Sequence, residues 1–400
     1  MKRKERSQEL SLEGELFLAV CRTASRPDLL RAWAEHSEGK SVDWELVLRM
    51  AAKHRVMPLL HRHVQAELCD RVPKSWYRRL DSRVASNSER CKKLAKELVK
   101  VQATLREAGI ESLVFKGTVL AERVYRDLTL RQGWDIDLLV RQDDKQSAVD
   151  VLRRSGYQIV RTYDQAIDFV HAEDGTPLDL HWNLTPRFFP YQENIESFFD
   201  RAIETLTSAG TVKTLCDEDL VAVLCLQIAK DAWERQQRFV YFFKVVDLAE
   251  TVSVLPDLDW EKLRCRAKQN GWLKILQLAI GACETWSGLD ASVCNNAAGN
   301  PMSRQLQRTV RRMGEKVVCP SAYGVSAQGK HHGRETAWGW RHRVRQGIFF
   351  MQIRERPVDW ARYSAAVLYY GVPEFVLGHR RNHVDDRTSP TREESGKVAT

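Results

Sequence analysis

The sequence predicts an α+β fold, in which a small mixed β-sheet with an α/β core is flanked by N-terminal and C-terminal helical domains. Three observations predict it. Apolar residues recur at helical spacing up to about residue 108, the period shortens to that of strands between Ile110 and about Trp182, and helical spacing resumes after Thr185. The expected organisation is a helical N-terminal domain over 1–108, a sheet core over 109–205, a helical C-terminal domain over 206–379 and a tail over 380–400.

In the N-terminal part, Asp43 is placed to cap a helix from Trp44 to His54, whose Leu46, Val47, Met50 and Ala51 share a face, and Pro58 ends or redirects the chain. A longer helix is expected from about Ser86 to Ala108, with Leu94, Leu98, Val101 and Leu105 on one stripe and Gly109 as its stop. The core then reads β-α-β-α-β-β-β: an apolar run Ile110 to Phe115, a helix Thr118 to Asp127, a strand Asp135 to Val140 and a helix Asp143 to Ser155. Strands at Tyr157 to Thr162, Ala166 to His171 and Leu178 to Trp182 complete it, the last two joined by a turn at Glu173-Asp174-Gly175. Helices are expected after it at Asp217 to Trp233, Phe239 to Val252, Trp260 to Asn270 and Trp272 to Trp286, with another near Asp359 to Tyr370. The charged, Ser-, Thr- and Pro-rich tail is expected to be disordered.

Composition narrows the partners. The 62 lysines and arginines exceed the 53 aspartates and glutamates by 9, which favours anionic ligands over cationic ones. Nine cysteines without a C-x-x-C pair indicate neither a disulfide framework nor a zinc knuckle and suit a reducing cytoplasm. The longest apolar run, Leu220 to Ile228, is interrupted by Gln227 and falls far short of the ~20 residues a membrane span needs, so no membrane span is expected.

The chemistry concentrates in Arg131-Gln132-Gly133-Trp134-Asp135-Ile136-Asp137-Leu138. Strand alternation points Asp135 and Asp137 to one face and Ile136 and Leu138 to the other. Two carboxylates at ~4 Å repel by about 4 kcal/mol at a dielectric near 20, so the pair needs a proton, a basic neighbour or a metal cation. Mg²⁺, or Mn²⁺ in its place, takes such hard oxygen ligands and leaves positions for substrate phosphates. In Pro177-Leu178-Asp179-Leu180-His181-Trp182, alternation groups Asp179 with His181, offering a third carboxylate from a second strand. Upstream, Lys116-Gly117-Thr118 forms a strand-to-helix junction where backbone N–H groups and the Lys116 charge are expected to receive phosphates.

The residues Phe115-Lys116-Gly117, Leu120, Tyr125, Arg131, Asp135-Ile136-Asp137-Leu138-Leu139-Val140 and Leu178-Asp179-Leu180-His181-Trp182 together resemble the uncharacterised nucleotidyltransferase family of the DNA polymerase β-like superfamily. The lead-in Ala51-Ala52-Lys53-His54-Arg55-Val56-Met57-Pro58 is similar to that family's N-terminal region, and the resemblance spans roughly residues 40 to 290. It implies a five-stranded mixed sheet flanked by helices and Mg²⁺-dependent, two-metal transfer of a nucleoside monophosphate from an NTP such as ATP. Asp135, Asp137 and Asp179 are the implied metal ligands and catalytic residues, and Lys116, Gly117 and Thr118 the implied triphosphate site. The wider superfamily usually has Gly-Ser where this chain has Lys116-Gly117-Thr118, Lys-Gly being the subgroup's own pattern. The acceptor, whether protein, small molecule or RNA, is not implied.

Several positions carry two readings. His181 either contacts phosphate or acceptor or is hydrogen-bonded structure; Arg131 either pairs with phosphate or neutralises the acids from behind; Tyr125 either stacks on a base or fills core. The basic and aromatic segment Lys330 to Arg345 reads as a nucleic-acid surface or a solvated helix face, and Lys230 to Arg238 as a possible wall of the nucleotide pocket. Two rival functions fit the same fold: a catalytically silent nucleotide- or RNA-binding module, and a metal-dependent phosphohydrolase, which would usually contribute several histidine ligands.

Overall fold

The computed structural model describes residues 10–318 apart from 186–188, 190–193, 234–240, 256, 291 and 294–301, together with the isolated positions 353, 358 and 361. The expectations for Lys330 to Arg345, for 234–238 and for the tail over 380–400 lie outside the described residues, as does the helix near Asp359 to Tyr370 apart from position 361.

Four short helices open the fold: α1 (Leu12–Ala19), α2 (Pro27–His36), α3 (Trp44–Lys53) and α4 (Met57–His63), the last running into a π-helical turn over Val64–Leu68. Asp43 caps α3 as expected, its side chain accepting from the Leu46 N–H. Pro58 redirects the chain rather than ending a helix: it sits in the first turn of α4, where no intrahelical donor is lost. The long helix α5 spans Lys74–Glu107 and starts twelve residues earlier than its Leu and Val stripe predicts. The extension buries only Trp76 and Leu80, too few to show an apolar period. Gly109 stops α5 in the left-handed region, at φ +77°.

The sheet comprises β1 (Ser112–Val114), β2 (Ile136–Val140), β3 (Tyr157–Thr162), β4 (Ala166–His171), β5 (Pro177–His181), β6 (Ile203–Thr207) and β7 (Gly210–Thr214). Between strands stand α6 (Gly117–Leu120), continued by a π-helical turn to Tyr125, α7 (Lys145–Arg154) and the short α8 (Glu196–Asp200). The spatial order is β3-β4-β5-β2-β1-β7-β6. β1 pairs antiparallel with β2 and parallel with β7, while β2 pairs parallel with β5. The sheet is therefore mixed, with seven strands where the resemblance implies five. The hairpin β6-β7 is the difference, and its alternation Ile203-Glu204-Thr205-Leu206-Thr207, followed by Ser208-Ala209-Gly210, went unread because Leu206 is exposed and the stretch is mostly polar.

One face of the sheet makes the core. Ile136, Leu138 and Val140 of β2, Ile167 and Phe169 of β4 and Leu178 and Leu180 of β5 pack with Leu94, Leu98, Val101 and Leu105 of α5 and with Ala148 and Leu152 of α7. That burial, at about 25 cal/mol per Å² of apolar surface, fixes which face of β2 and β5 points away from α5, because a one-residue slip would send every apolar side chain to the wrong side.

The helices α9 (Asp217–Trp233), α10 (Phe243–Val254), α11 (Trp260–Asn270), α12 (Leu273–Ala282) and α13 (Arg304–Val318) follow. α9 packs on α10 and α12, and α13, which the sequence reading passed over, returns to α1 and α12 through Leu306, Val310 and Met313. One compact unit, Met1–Glu355, holds all these elements. Among the described residues no helix is long and apolar enough to cross a membrane.

Candidate active site

Strands β2 and β5 pair in a register that sets Asp137 directly opposite Asp179 and Leu139 opposite His181. Paired residues share a face, so Asp137, Asp179 and His181 emerge together on the side away from α5. Ligand atoms of these three side chains lie within 4.8 Å of one another. The Lys116 ammonium stands 3.0 Å from Asp137 Oδ1, and His181 Nε2 lies 3.4 Å from the same oxygen. The Phe115 ring meets the His181 imidazole edge-on at 5.2 Å and holds it against the strand.

Because β1 runs antiparallel to β2, the end of β1 delivers the Lys116-Gly117 bend to the start of β2, where Asp135 sits. Gly117 has φ +65°, and a Cβ there would stand 3.4 Å from the Asp135 carbonyl oxygen. The bend thus runs against the backbone of Asp135, with a residue that adopts the left-handed conformation without strain.

The loop entering β2 is fastened to α5 and α10. Asn87 on α5 donates to the Thr129 and Arg131 carbonyls and accepts from the Gly133 N–H, acting as a substitute strand for a loop that has none. Gly133 packs so closely on α5 that a Cβ would fall 2.7 Å from Cys91 Sγ. The Arg131 guanidinium is buried and makes a two-pronged bond to Asp247 of α10, which also accepts from the Tyr125 hydroxyl at 2.6 Å.

Residues 40–288 match the family described as uncharacterised nucleotidyltransferase. The chain belongs to that family. Its fold is an enzyme fold of that class, and three solved structures align with parts of it. A lincomycin-bound lincosamide antibiotic adenylyltransferase aligns at 16% identity and TM-score 0.29, over 40% of this chain and 96% of that one. The antibiotic-resistance factor ANT(2'')-Ia aligns at 14% identity and TM-score 0.33, over 44% and 92%. An antigenic nucleotidyltransferase-like protein from Paracoccidioides brasiliensis aligns at 13% identity and TM-score 0.34, over 54% and 97%. No curated protein matches the chain.

In this nucleotidyltransferase the acids differ in charge. Burial opposes ionisation of Asp137, yet the Lys116 ammonium, 3.0 Å away, outweighs it and holds the carboxyl well below the usual carboxylate range. Burial and the Asp137 charge push Asp135 up to about 6. Burial, Asp137, Asp135 and Asp168 push Asp179 up to about 8. Burial also lowers His181, against the pull of Asp137, so its ring is neutral and free to ligate.

Of the residues read from the sequence, Asp137, Asp179, His181 and Lys116 converge, with Gly117 and the buried Thr118 at the adjoining bend. Asp135 stands beside them, half-buried at the mouth of β2 and outside the tightest donor cluster. Arg131 is held by Asp247, and Tyr125 is buried in the core.

Asp168 was missed. It pairs with Asp179 across β4 and β5 and extends the acidic row. The turn at Glu173-Asp174-Gly175 held the signal, since counting back from that hairpin aligns 168 with 179.

The donor set suits a divalent cation. Two adjacent carboxylates repel unless a cation intervenes. Both ring nitrogens of His181 are buried without a hydrogen bond, the Asp137 oxygen being poorly aimed for one, which is costly for imidazole unless a ligand takes the lone pair.

Proposed function

We propose that the chain is a Mg²⁺-dependent nucleotidyltransferase that moves a nucleoside monophosphate from an NTP, ATP among the candidates, to an acceptor hydroxyl in the cytoplasm. The observation that carries this reading is the pairing of Asp137 with Asp179 in one register, with His181 beside them and the Lys116-Gly117 bend alongside. Asp135, Asp137 and Asp179 are the proposed metal ligands. The position of His181 adds a nitrogen donor, which makes Mn²⁺ the natural second ion to test. Nine cysteines without a C-x-x-C pair support the cytoplasmic part.

A bound divalent cation would supply positive charge to the phosphates and lower the cost of deprotonating the acceptor. The chain's own residues do the rest. Gly117 and Thr118 present backbone to the triphosphate, while Lys116 divides its charge between Asp137 and the incoming phosphates. The acceptor oxygen bonds to the α-phosphorus as the bond to the bridging oxygen breaks, and pyrophosphate leaves with that electron pair. Asp179, which a bound cation would keep ionised, takes the hydroxyl proton.

A mass-shift screen of cell extract with each of the four NTPs, Mg²⁺ or Mn²⁺ and purified protein tests this. A product heavier by one nucleoside monophosphate, absent with chelator, is expected and identifies base and acceptor together. Wild-type protein that forms no nucleotide adduct and releases no pyrophosphate with any NTP, against extract that contains all its natural acceptors, overturns the reading.

A further inference from the structure

Arg55 follows α3 at the point where that helix ends. The Arg55 N–H bonds to the Ala52 carbonyl and the Val56 N–H to the Ala51 carbonyl, a closing pattern whose left-handed position is normally glycine. Here it is an arginine at φ +57°, one of two non-glycine residues with positive φ among those described. A long side chain at such a position costs free energy that glycine would not, so something must favour it.

The backbone around it is pinned. The Phe242 N–H donates to His54 Nδ1 and the Phe243 N–H to the His54 carbonyl, tying the end of α3 to the start of α10. The guanidinium then lies 5.3 Å from the Trp134 ring, 4.7 Å from Tyr241 and 5.2 Å from Phe243. Three rings orient it, and among the described residues no carboxylate pairs with it and no side chain accepts from it. Trp134 is the residue before Asp135, and the Gly117 bend abuts the Asp135 carbonyl. A half-buried arginine stacked on the residue that precedes Asp135 therefore stands at the rim of the acid cluster.

We propose that Arg55 is a phosphate clamp for the nucleotide, its planar fork taking oxygens of the polyphosphate beyond the α-phosphate. The inference rests on the nucleotidyltransferase reading and deepens it: substrate grip comes from the N-terminal helical segment as well as from Lys116, Gly117 and Thr118. Trp134 and Tyr241 hold the guanidinium plane, so lysine replaces only the charge.

The test is calorimetric titration of the full chain with inorganic tripolyphosphate, and separately with NTP, in Mg²⁺. Arg55→Asn suits the left-handed backbone and removes the cation, Arg55→Lys keeps the charge, and Arg90→Gln removes a second cation that lies against Trp134. Arg55→Asn is expected to weaken both ligands by on the order of tenfold or more, Arg55→Lys to recover part of that loss, and Arg90→Gln to leave binding unchanged. Equal losses for Arg55→Asn and Arg90→Gln would reduce the effect to general surface charge and overturn the clamp. Unchanged tripolyphosphate affinity in Arg55→Asn, with nucleotide transfer intact, overturns the clamp and leaves the nucleotidyltransferase reading standing. A wild-type chain that binds neither probe overturns both.

Discussion

Asp137 and Asp179 face each other across two parallel strands, and they carry opposite electrostatic burdens: Lys116 keeps Asp137 ionised, while burial and the Asp137 charge push Asp179 up to about 8. Neutralising each acid should therefore have different consequences for the fold and the same consequence for the chemistry. Asp179→Asn removes a repelled charge, so its melting temperature at pH 8 in chelator should equal or exceed wild type. Asp137→Asn leaves the Lys116 ammonium without its carboxylate and should melt lower. Both should lose transfer by roughly a hundredfold or more and lose Mn²⁺ binding in a titration. A variant that melts and titrates as expected yet retains wild-type turnover would remove that acid from the mechanism.

The same charges set how stability depends on pH. Asp135 and Asp179 have folded-state values raised to about 6 and about 8, above the ~4 of an unfolded chain. Between those limits the folded state binds more protons than the unfolded, so stability falls as pH rises from about 4 to about 8. Asp137 works in the other direction, but only below the unfolded value, since its stabilising contribution is present above about 4 and is lost further down. In chelator, melting temperature should rise as pH is lowered from 8 to 6. Saturating Mg²⁺ should flatten or reverse that slope, because a cation favours the ionised acids. Thermal scans at several pH values, with and without Mg²⁺, check both slopes, and identical slopes in the two conditions would argue against metal at these acids.

The central acids were legible because alternation is strict wherever one face is buried: Ile136, Leu138, Leu178 and Leu180 fill the core, so Asp137, Asp179 and His181 had to share the other side. The register between β2 and β5 was not legible, since those strands are distant in sequence and only packing aligns them. Arg131 shows the same limit. Its four-residue distance from Asp135 suggests proximity to the acids, but its partner Asp247 lies 116 positions further along the chain, on α10. The hairpin β6-β7 escaped because its edge strand β6 is exposed and carries little apolar signal, and Asn87 escaped because a polar residue inside a helix announces nothing until a loop is placed against it.

Gly133 offers a packing test of how the acid loop is seated. Its φ lies outside the left-handed region, so alanine introduces no backbone strain and acts only through its Cβ, which would stand 2.7 Å from Cys91 Sγ and 3.3 Å from Leu94 Cδ1. Gly133→Ala should cost about 1–3 kcal/mol in denaturant unfolding and depress transfer by shifting Asp135. Cys91→Ala removes the closest clash, so the double variant should regain part of both losses. If the double variant is no better than Gly133→Ala alone, contact with α5 is not what seats the loop.

Arg131, Asp247 and Tyr125 form a buried polar knot between the core and α10. Asp247 Oδ2 lies 3.0 Å from Arg131 Nη2, and both side chains are almost wholly shielded from water. Burial opposes the Arg131 charge, but Asp247 reverses that and raises its pKa above the ordinary arginine value. Taking away one member leaves an uncompensated ion in a low-dielectric setting, whereas taking away both removes the desolvation cost along with the attraction. Asp247→Leu should therefore cost about 3–5 kcal/mol, and Arg131→Met with Asp247→Leu together markedly less than the sum of the two single losses. Tyr125→Phe, which deletes a single 2.6 Å bond to the carboxylate, should cost about 1.5–3 kcal/mol. Urea unfolding of the four variants measures the coupling. Because the Arg131 charge also reaches Asp137 and Asp135, the double variant should fold yet bind divalent metal with altered affinity, which a Mn²⁺ titration reads separately from stability.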